Sequence, residues 1–136
     1  MQLKYRKLVY LASPYTHTDP EIREKRFKDV CKAAAVLFSK GYFVFSPIAM
    51  THPISSQNNL PVPYHFWQEF DELMISRSDY FVILKLDGWE KSVGVAEESK
   101  FAMLIGKKIH YLDEEKINDF VVGGEADATS ASVGNR

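Results

Sequence analysis

Residues 79–103 read DYFVILKLDGWEKSVGVAEESKFAM, and their order decides the fold. Tyr80-Phe81-Val82-Ile83-Leu84 is a short apolar run rich in aromatic and β-branched residues, which predicts a strand buried on both faces. A loop from Lys85 to Lys91 follows, with Gly88 and Trp89 inside it. Ser92-Val93-Gly94-Val95-Ala96 then leads into Glu97-Glu98 and a helical pattern over about Val95–Ile105, with Gly106 placed to end it. A strand running through a loop into a helix is where an α/β protein usually receives its ligand. Two adjacent carboxylates at that junction single out Glu98.

The same alternation extends outward in both directions. Leu8–Ala12 reads as a first strand, preceded by a basic leader carrying Lys4, Arg6 and Lys7. It ends in a turn-rich loop from Ser13 to Pro20, where Asp19 is a natural N-cap and Pro20 a natural first helical residue. The helix from Pro20 to about Lys40 carries Phe27, Val30, Cys31, Ala34, Leu37 and Phe38 at the spacing of a core stripe. Arg23, Lys25, Arg26 and Lys28 crowd its opening turns, either as a solvated face or with one arginine reaching an anionic ligand. Tyr42–Phe45 is the second strand. The proline-bearing stretch from Ser46 to Pro63 is expected to be a long loop, and loops of that length tend to be lids or binding segments.

A second helix is expected over Tyr64–Ser76, with Phe66, Trp67, Phe70, Leu73 and Met74 as its apolar stripe and Asp71 beside it. Lys107–Leu112 gives the fourth strand and Asp113–Phe120 a short last helix. One domain is expected over residues 1–120, with 121–136 a flexible, Gly/Ala/Ser/Thr-rich tail. Nearly continuous apolar strands alternating with helices imply a parallel sheet covered on both faces. The fold class is therefore α/β, a three-layer Rossmann- or flavodoxin-like sandwich around four or five parallel strands.

Composition narrows the function. The chain has 136 residues, 46% hydrophobic and 26% charged, with a formal charge of −1. Such a balance offers no basic field for a nucleic-acid polymer. Cys31 is the single cysteine, which suits a reducing cytoplasm. No apolar run approaches a membrane span, and no signal peptide is read at the start. No Gly-x-Gly-x-x-Gly follows the first strand and no Walker-type motif exists, so a gripped dinucleotide or triphosphate is disfavoured. His17, His52, His65 and His110 have no metal-ligand spacing. No cofactor and no metal are expected. Carboxylates, hydroxyls and aromatics at the strand ends remain.

Four segments in register are recognisable. Tyr10-Leu11-Ala12-Ser13-Pro14 resembles the first-strand signature of the nucleoside 2-deoxyribosyltransferase-like superfamily. Gly41-Tyr42-Phe43-Val44-Phe45-Ser46-Pro47 resembles its second strand and following loop. Asp71 with Asp79 resembles the segment in which an aspartate precedes the third strand by two helical turns. Ser92-Val93-Gly94-Val95-Ala96-Glu97-Glu98 resembles the Ser-x-Gly-x-x-x-Glu start of its catalytic helix. Thr51-His52-Pro53 and Phe66-Trp67 are similar to an uncharacterised domain-of-unknown-function branch.

The resemblance implies an N-glycosidase or 2-deoxyribosyltransferase acting on a (deoxy)nucleoside or its 5′-monophosphate, with Glu98 as nucleophile. A carboxylate attacking an oxocarbenium-like carbon beside a second acid is also the double-displacement scheme of retaining glycosidases. Asp71 would be that second acid, orienting the sugar or assisting proton transfer to the departing base. Ser92 with the Gly94 and Val95 N–H groups would hold a 5′-hydroxyl or phosphate, helped by Ser13. Tyr15, Trp67 and Trp89 are candidate base-stacking surfaces, and His52 a candidate substrate contact. Plainer roles stand beside these: Glu98 as a first-turn acid favoured by the helix dipole, Asp71 as a cap or salt-bridge partner, Trp67 as core, His52 as incidental and Asp79 as structural. Two marks depart from the deoxynucleotide-cleaving relatives. Their arginine after the first-strand serine is replaced by Tyr15, and the Asp87-Gly88-Trp89-Glu90 loop is longer. The resemblance also implies a homodimer or homotetramer, with Phe66, Trp67 and Phe70 as candidate contacts. An inactive nucleotide-binding or sensor domain, or a purely structural module, is the alternative.

Overall fold

The apolar runs become the strands of one parallel sheet in the computed structural model, which describes residues 6–60 and 63–122. Strands β1 (Leu8–Ala12), β2 (Phe43–Phe45), β3 (Tyr80–Leu84) and β4 (Ile109–Leu112) alternate with helices α1 (Pro20–Ser39), α2 (Pro47–Asn58), α3 (Tyr64–Arg77) and α4 (Val93–Leu104). Their order across the sheet is β2-β1-β3-β4. β1 sits centrally, pairing Leu8 with Phe43 on one side and Val9 with Tyr80 on the other. Phe81 pairs with Ile109 to add β4. The three-layer α/β sandwich expected from the alternation is what forms.

The period-two geometry of a strand divides the core into two. Val9, Leu11, Val82 and Leu84 face α1, packing on Val30, Ala33, Ala34 and Leu37, and on Ile117 and Val122 further along the chain. Tyr10, Ala12, Phe81 and Ile83 face the opposite layer, where Ile75 of α3 and Val95 and Ala102 of α4 close over them. Each large apolar side chain buried in this way contributes about 1.5–3 kcal/mol. Tyr10 is the one residue of β1 that carries a polar atom into either core.

Helix ends follow the sequence chemistry. Asp19 caps α1, its Oδ1 accepting from the Glu21 N–H at 2.9 Å, and Gly41 takes φ +101 just after it. The α1 stripe is rotated from the expected one. Ala33 is buried while Phe38 is 48% exposed and Cys31 half-buried, because the short side chains of Ala33 and Ala34 permit close approach to the sheet. Asp79 is structural: its Oδ2 accepts from the Leu8 N–H at 2.8 Å, and its own N–H donates to the Leu8 carbonyl at 2.8 Å.

The segment from Ser46 to Pro63 is not the long loop its prolines suggest. Pro47–Asn58 is helix α2. Ser46 caps it, the hydroxyl accepting from the Ala49 N–H at 3.0 Å, and Pro47 sits in the first turn, where a missing N–H costs nothing. Pro53 lies inside the helix, at a local cost of up to about 3 kcal/mol. Burial of Thr51, His52 and Ser55 on the inward face holds the helix together across it. Asn59 then ends it at φ 57, a conformation asparagine tolerates.

The last segment, Glu114–Asp119, is 3₁₀ rather than α. Of the tail expected from residue 121, Val122 is buried in the α1-side core and its N–H donates to the Tyr42 hydroxyl at 3.2 Å. The rest of that tail, 123–136, and the leader before residue 6 lie outside the described residues. No helix among the described residues is long and apolar enough to cross a membrane.

Candidate functional site

A cavity of about 560 Å³ opens at the C-terminal ends of β1, β2 and β3. Crossovers leave β1 toward β2 on one side and return to β3 on the other. The chain ends there diverge and leave a crevice, which is where open α/β sheets take ligands. Its volume is in the range of small-molecule pockets. One wall comes from the β1–α1 loop and α2, through Ser13, Tyr15, Ile48 and Thr51. The other comes from α3 and the start of α4.

Helical periodicity explains what those two helices deliver. Tyr64, Trp67, Gln68 and Asp71 of α3 all line the cavity. They stand at i, i+3, i+4 and i+7, one face of a helix. On α4, Val95, Glu98 and Ala102 form the inward stripe, so Glu98 occupies a position that would otherwise be core. Asp71 is 4% and Glu98 5% exposed. Tyr10 rises from the sheet beneath them, fully buried.

Burial dominates the electrostatics here. It pushes Glu98 well above the usual carboxylate range, with the Asp71 charge and a hydrogen bond to Asp71 adding to the rise. Asp71 is pushed up to about 6, mainly by burial, while its hydrogen bond with Glu98 pulls the other way. The two carboxyls therefore titrate as one interacting pair, whose proton is held more tightly than on a free carboxylate. Burial and the charges of Glu98 and Asp71 also push the Tyr10 hydroxyl well up. Tyr64 is raised too, by burial and then by Glu98. Tyr10 and Glu98 are close enough to perturb each other's ionisation, yet no well-formed hydrogen bond satisfies the Tyr10 hydroxyl.

Unpartnered polar atoms gather at the same place. Among the described residues the buried side-chain atoms without a hydrogen-bond partner are Tyr10 Oη, Ser13 Oγ, Tyr64 Oη and Asp71 Oδ1. Three belong to residues lining the cavity, and the fourth lies directly below Asp71 and Glu98. Buried polar groups in folded proteins are almost always paired. Here four such atoms gather at one crevice, three of them on residues of its lining.

The start of α4 adds an anion-binding element. Ser92 caps the helix, its Oγ accepting from the Val95 N–H at 3.2 Å. That occupies one of the expected anion-facing amides and leaves those of Val93 and Gly94 at a helix N-terminus lining the cavity. Lys91 lines the cavity beside them.

Ser13, Tyr15, Trp67, Asp71, Ser92, Gly94 and Glu98 thus come together around one space. The other sequence-derived candidates do not line it. Val95 is buried in the core below α4. Trp89 belongs to the 3₁₀ turn Trp89–Lys91 and packs against Tyr111 at 5.8 Å between ring centres, with the Lys85 amine 6.0 Å from its ring centre. His52 stands behind Tyr15 on α2: the Tyr15 hydroxyl bonds its Nδ1, its Nε2 lies 2.8 Å from Glu24 Oε1, and Phe27 stacks on the ring at 4.4 Å. Burial pushes the Tyr15 hydroxyl up, against the lowering influence of Arg23. Both arginines of α1 donate to main-chain carbonyls, Arg23 to that of His17 and Arg26 to those of Tyr15, Thr16 and Asp87, and Arg23 also hydrogen-bonds the Tyr15 hydroxyl. Tyr10, Thr51, Tyr64, Gln68 and Lys91 were not among the site residues expected from sequence, although Tyr10 and Thr51 stand in the recognised motifs. The available signals were the one hydroxyl in an apolar strand, for Tyr10, and the helical spacing back from Asp71, for Tyr64 and Gln68.

No curated protein matches the chain. Residues 7–114, spanning every strand and helix around the cavity, match the family model described as a domain of unknown function, DUF1937, and the chain belongs to that family.

Proposed function

We propose that the chain is an N-glycosidase or 2-deoxyribosyltransferase-like enzyme that cleaves the N-glycosidic bond of a (deoxy)nucleoside or nucleoside 5′-monophosphate. The observation that carries this is the Asp71–Glu98 pair, two nearly fully buried carboxyls coupled to one another in a cavity lined by orphaned hydroxyls. Burying two carboxyls without a basic partner costs stability, a cost expected where the groups serve chemistry. In the reaction, Glu98 passes its proton to Asp71 and attacks the anomeric carbon. The bond to the base nitrogen breaks with its electron pair leaving on the base, which takes a proton from an acid of the cavity as it departs. Water, or the N–H of a second base, then attacks the glycosyl ester, gives up a proton that restores that acid, and frees Glu98, which recovers its own proton from Asp71. Asp71 also orients the sugar. Lys91, Ser13 and the α4 amides would hold a 5′-hydroxyl or phosphate, and Tyr15 and Trp67 would flank the base.

Incubation with a panel of nucleosides and 5′-monophosphates tests this, with free base followed by chromatography. Release by the wild type and none by Glu98→Ala is the expected result. Absence of release across the panel, or equal release by the variant, removes the proposal. One observation favours a second reading, a nucleotide-binding or sensor domain without turnover: burial raises the Glu98 pKa, and the more tightly a carboxyl keeps its proton the poorer it is as a nucleophile. Saturable binding by calorimetry with no base released over long incubation would select it. A homodimer or homotetramer in the cytoplasm is part of the same proposal. Phe66, 48% exposed on α3, is its candidate contact, whereas Trp67 lines the cavity and Phe70 packs on Phe45.

A further inference from the structure

We propose that Tyr15 is the proton donor to the departing base, recharged through a relay from Glu24 by way of His52; the assignment rests on the glycosidase reading above. Tyr15 is the inner end of this relay and lines the cavity. Its hydroxyl is bonded to His52 Nδ1 and also accepts from the Arg23 guanidinium, and His52 Nε2 lies 2.8 Å from Glu24 Oε1. The outer end is open to solvent, the Glu24 side chain being 47% exposed and that of His52 8%. Phe27 stacks on the imidazole at 4.4 Å and fixes its plane. A carboxylate, an imidazole and a hydroxyl in series, running from solvent to a cavity, form the connected path that proton transfer requires.

The step balances without any further reactant. In the acid form His52 carries protons on both nitrogens, Nε2–H facing the Glu24 carboxylate and Nδ1–H donating to the Tyr15 oxygen. The Tyr15 O–H is then free to be donated to the base. As Glu98 forms its bond to the anomeric carbon, the base nitrogen takes the C–N electron pair and the Tyr15 proton. Tyr15 takes the Nδ1 proton, leaving neutral imidazole still bonded to Glu24. When water attacks the glycosyl ester, the proton it gives up returns by the same path. Tyr15 is the catalytic residue of the three; His52 and Glu24 are positioning residues that act through it. This arrangement also leaves Asp71 free to serve Glu98 and the sugar.

The test is leaving-group dependence. A purine nucleoside needs a proton to depart, whereas its N7-methylated counterpart already carries positive charge on the base and departs neutral. Base release from both is measured for the wild type, Glu24→Gln, His52→Gln and Tyr15→Phe, and for Glu98→Ala, with circular dichroism and thermal melting to check folding. Glu24→Gln changes a half-exposed side chain and keeps the test available if a buried variant misfolds. The expected result is that all three relay variants lose about 100-fold in rate on the parent nucleoside relative to its N7-methyl form, while Glu98→Ala loses both substrates together. A wild type that releases base with the ratio unmoved in folded relay variants overturns the relay and leaves the glycosidase standing. A wild type inert toward both substrates overturns the glycosidase and the relay with it.

Discussion

The Glu98 carboxyl, on the inward stripe of α4, meets the Asp71 carboxyl of α3 in a site where both are at most 5% exposed. Both pKa values are raised, burial being the largest cause for each. A carboxyl whose folded pKa lies above its unfolded value binds more protons in the native state. Stability then falls as pH rises between the two values. For Asp71 that window runs from about 4 to about 6, and the raised Glu98 carboxyl acts in the same direction. Chemical denaturation should therefore show the protein more stable at pH 5 than at pH 8, by an amount on the order of a few kcal/mol. Glu98→Gln should flatten that dependence and be more stable than wild type at pH 8. A wild-type profile that rises over this range would mean that the pair is not buried in solution.

The same pair sets the catalytic expectation. Glu98→Gln preserves shape while removing the nucleophile, so base release should fall at least about 1,000-fold with folding intact. Asp71→Asn can still hydrogen-bond a sugar but cannot accept the Glu98 proton. Its loss should fall mainly in kcat, by about 10²–10⁴-fold. Steady-state kinetics on the best substrate of the panel separates the two effects. A change confined to KM in Asp71→Asn would limit that residue to sugar binding.

Much of this arrangement was legible before any coordinates. Strands announced themselves because buried parallel strands are almost wholly apolar, and Tyr80–Leu84 could not be confused with an amphipathic helix. Glu98 was visible as one of two adjacent acids at a strand–loop–helix junction, and Asp71 as an acid beside the apolar stripe of its helix; that both point inward was not. Helix α2 was not legible, because Pro53 and a run of Ser and Asn satisfy every local signal for a loop. The signals in its favour, the Ser46 cap and the burial of Thr51 and His52, are one local and one tertiary. His52 was misplaced for the same reason: only a helix turns it toward Glu24 and Tyr15. Trp89 resembled an exposed stacking surface because nothing in sequence places it against Tyr111 of β4. Tyr10 was hidden by its strand, whose alternation decides which core receives its hydroxyl.

That hydroxyl separates a structural tyrosine from a ligand-facing one. A buried, unpartnered hydroxyl destabilises the empty protein by about 1–3 kcal/mol. Tyr10→Phe should thus raise the melting temperature by a few degrees while lowering base release or ligand affinity. A tyrosine paired within the protein gives the opposite pattern, with stability and function falling together. Differential scanning calorimetry alongside the activity assay decides between the two, and Ser13→Ala should follow the same trend with a smaller gain.

Arg26 braces the crevice between β1 and β3, donating to the Tyr15, Thr16 and Asp87 carbonyls at 3.1–3.3 Å. Its guanidinium lies over Gly88, where an added Cβ would come within 2.6 Å of Nη2. Gly88 also holds φ +89, a conformation that side chains rarely adopt. Gly88→Ala should therefore cost about 1–2 kcal/mol from two separable causes, backbone strain and displacement of Arg26. Arg26→Ala should weaken substrate binding by loosening the β1–α1 loop that carries Tyr15, raising KM more than it lowers kcat. In the double variant the displacement cost disappears while the backbone cost remains, so the two losses should sum to less than additive. Urea denaturation of the four proteins in that cycle measures the coupling. Strict additivity would show that Arg26 does not press on Gly88 in solution, and would remove the brace between the two loops.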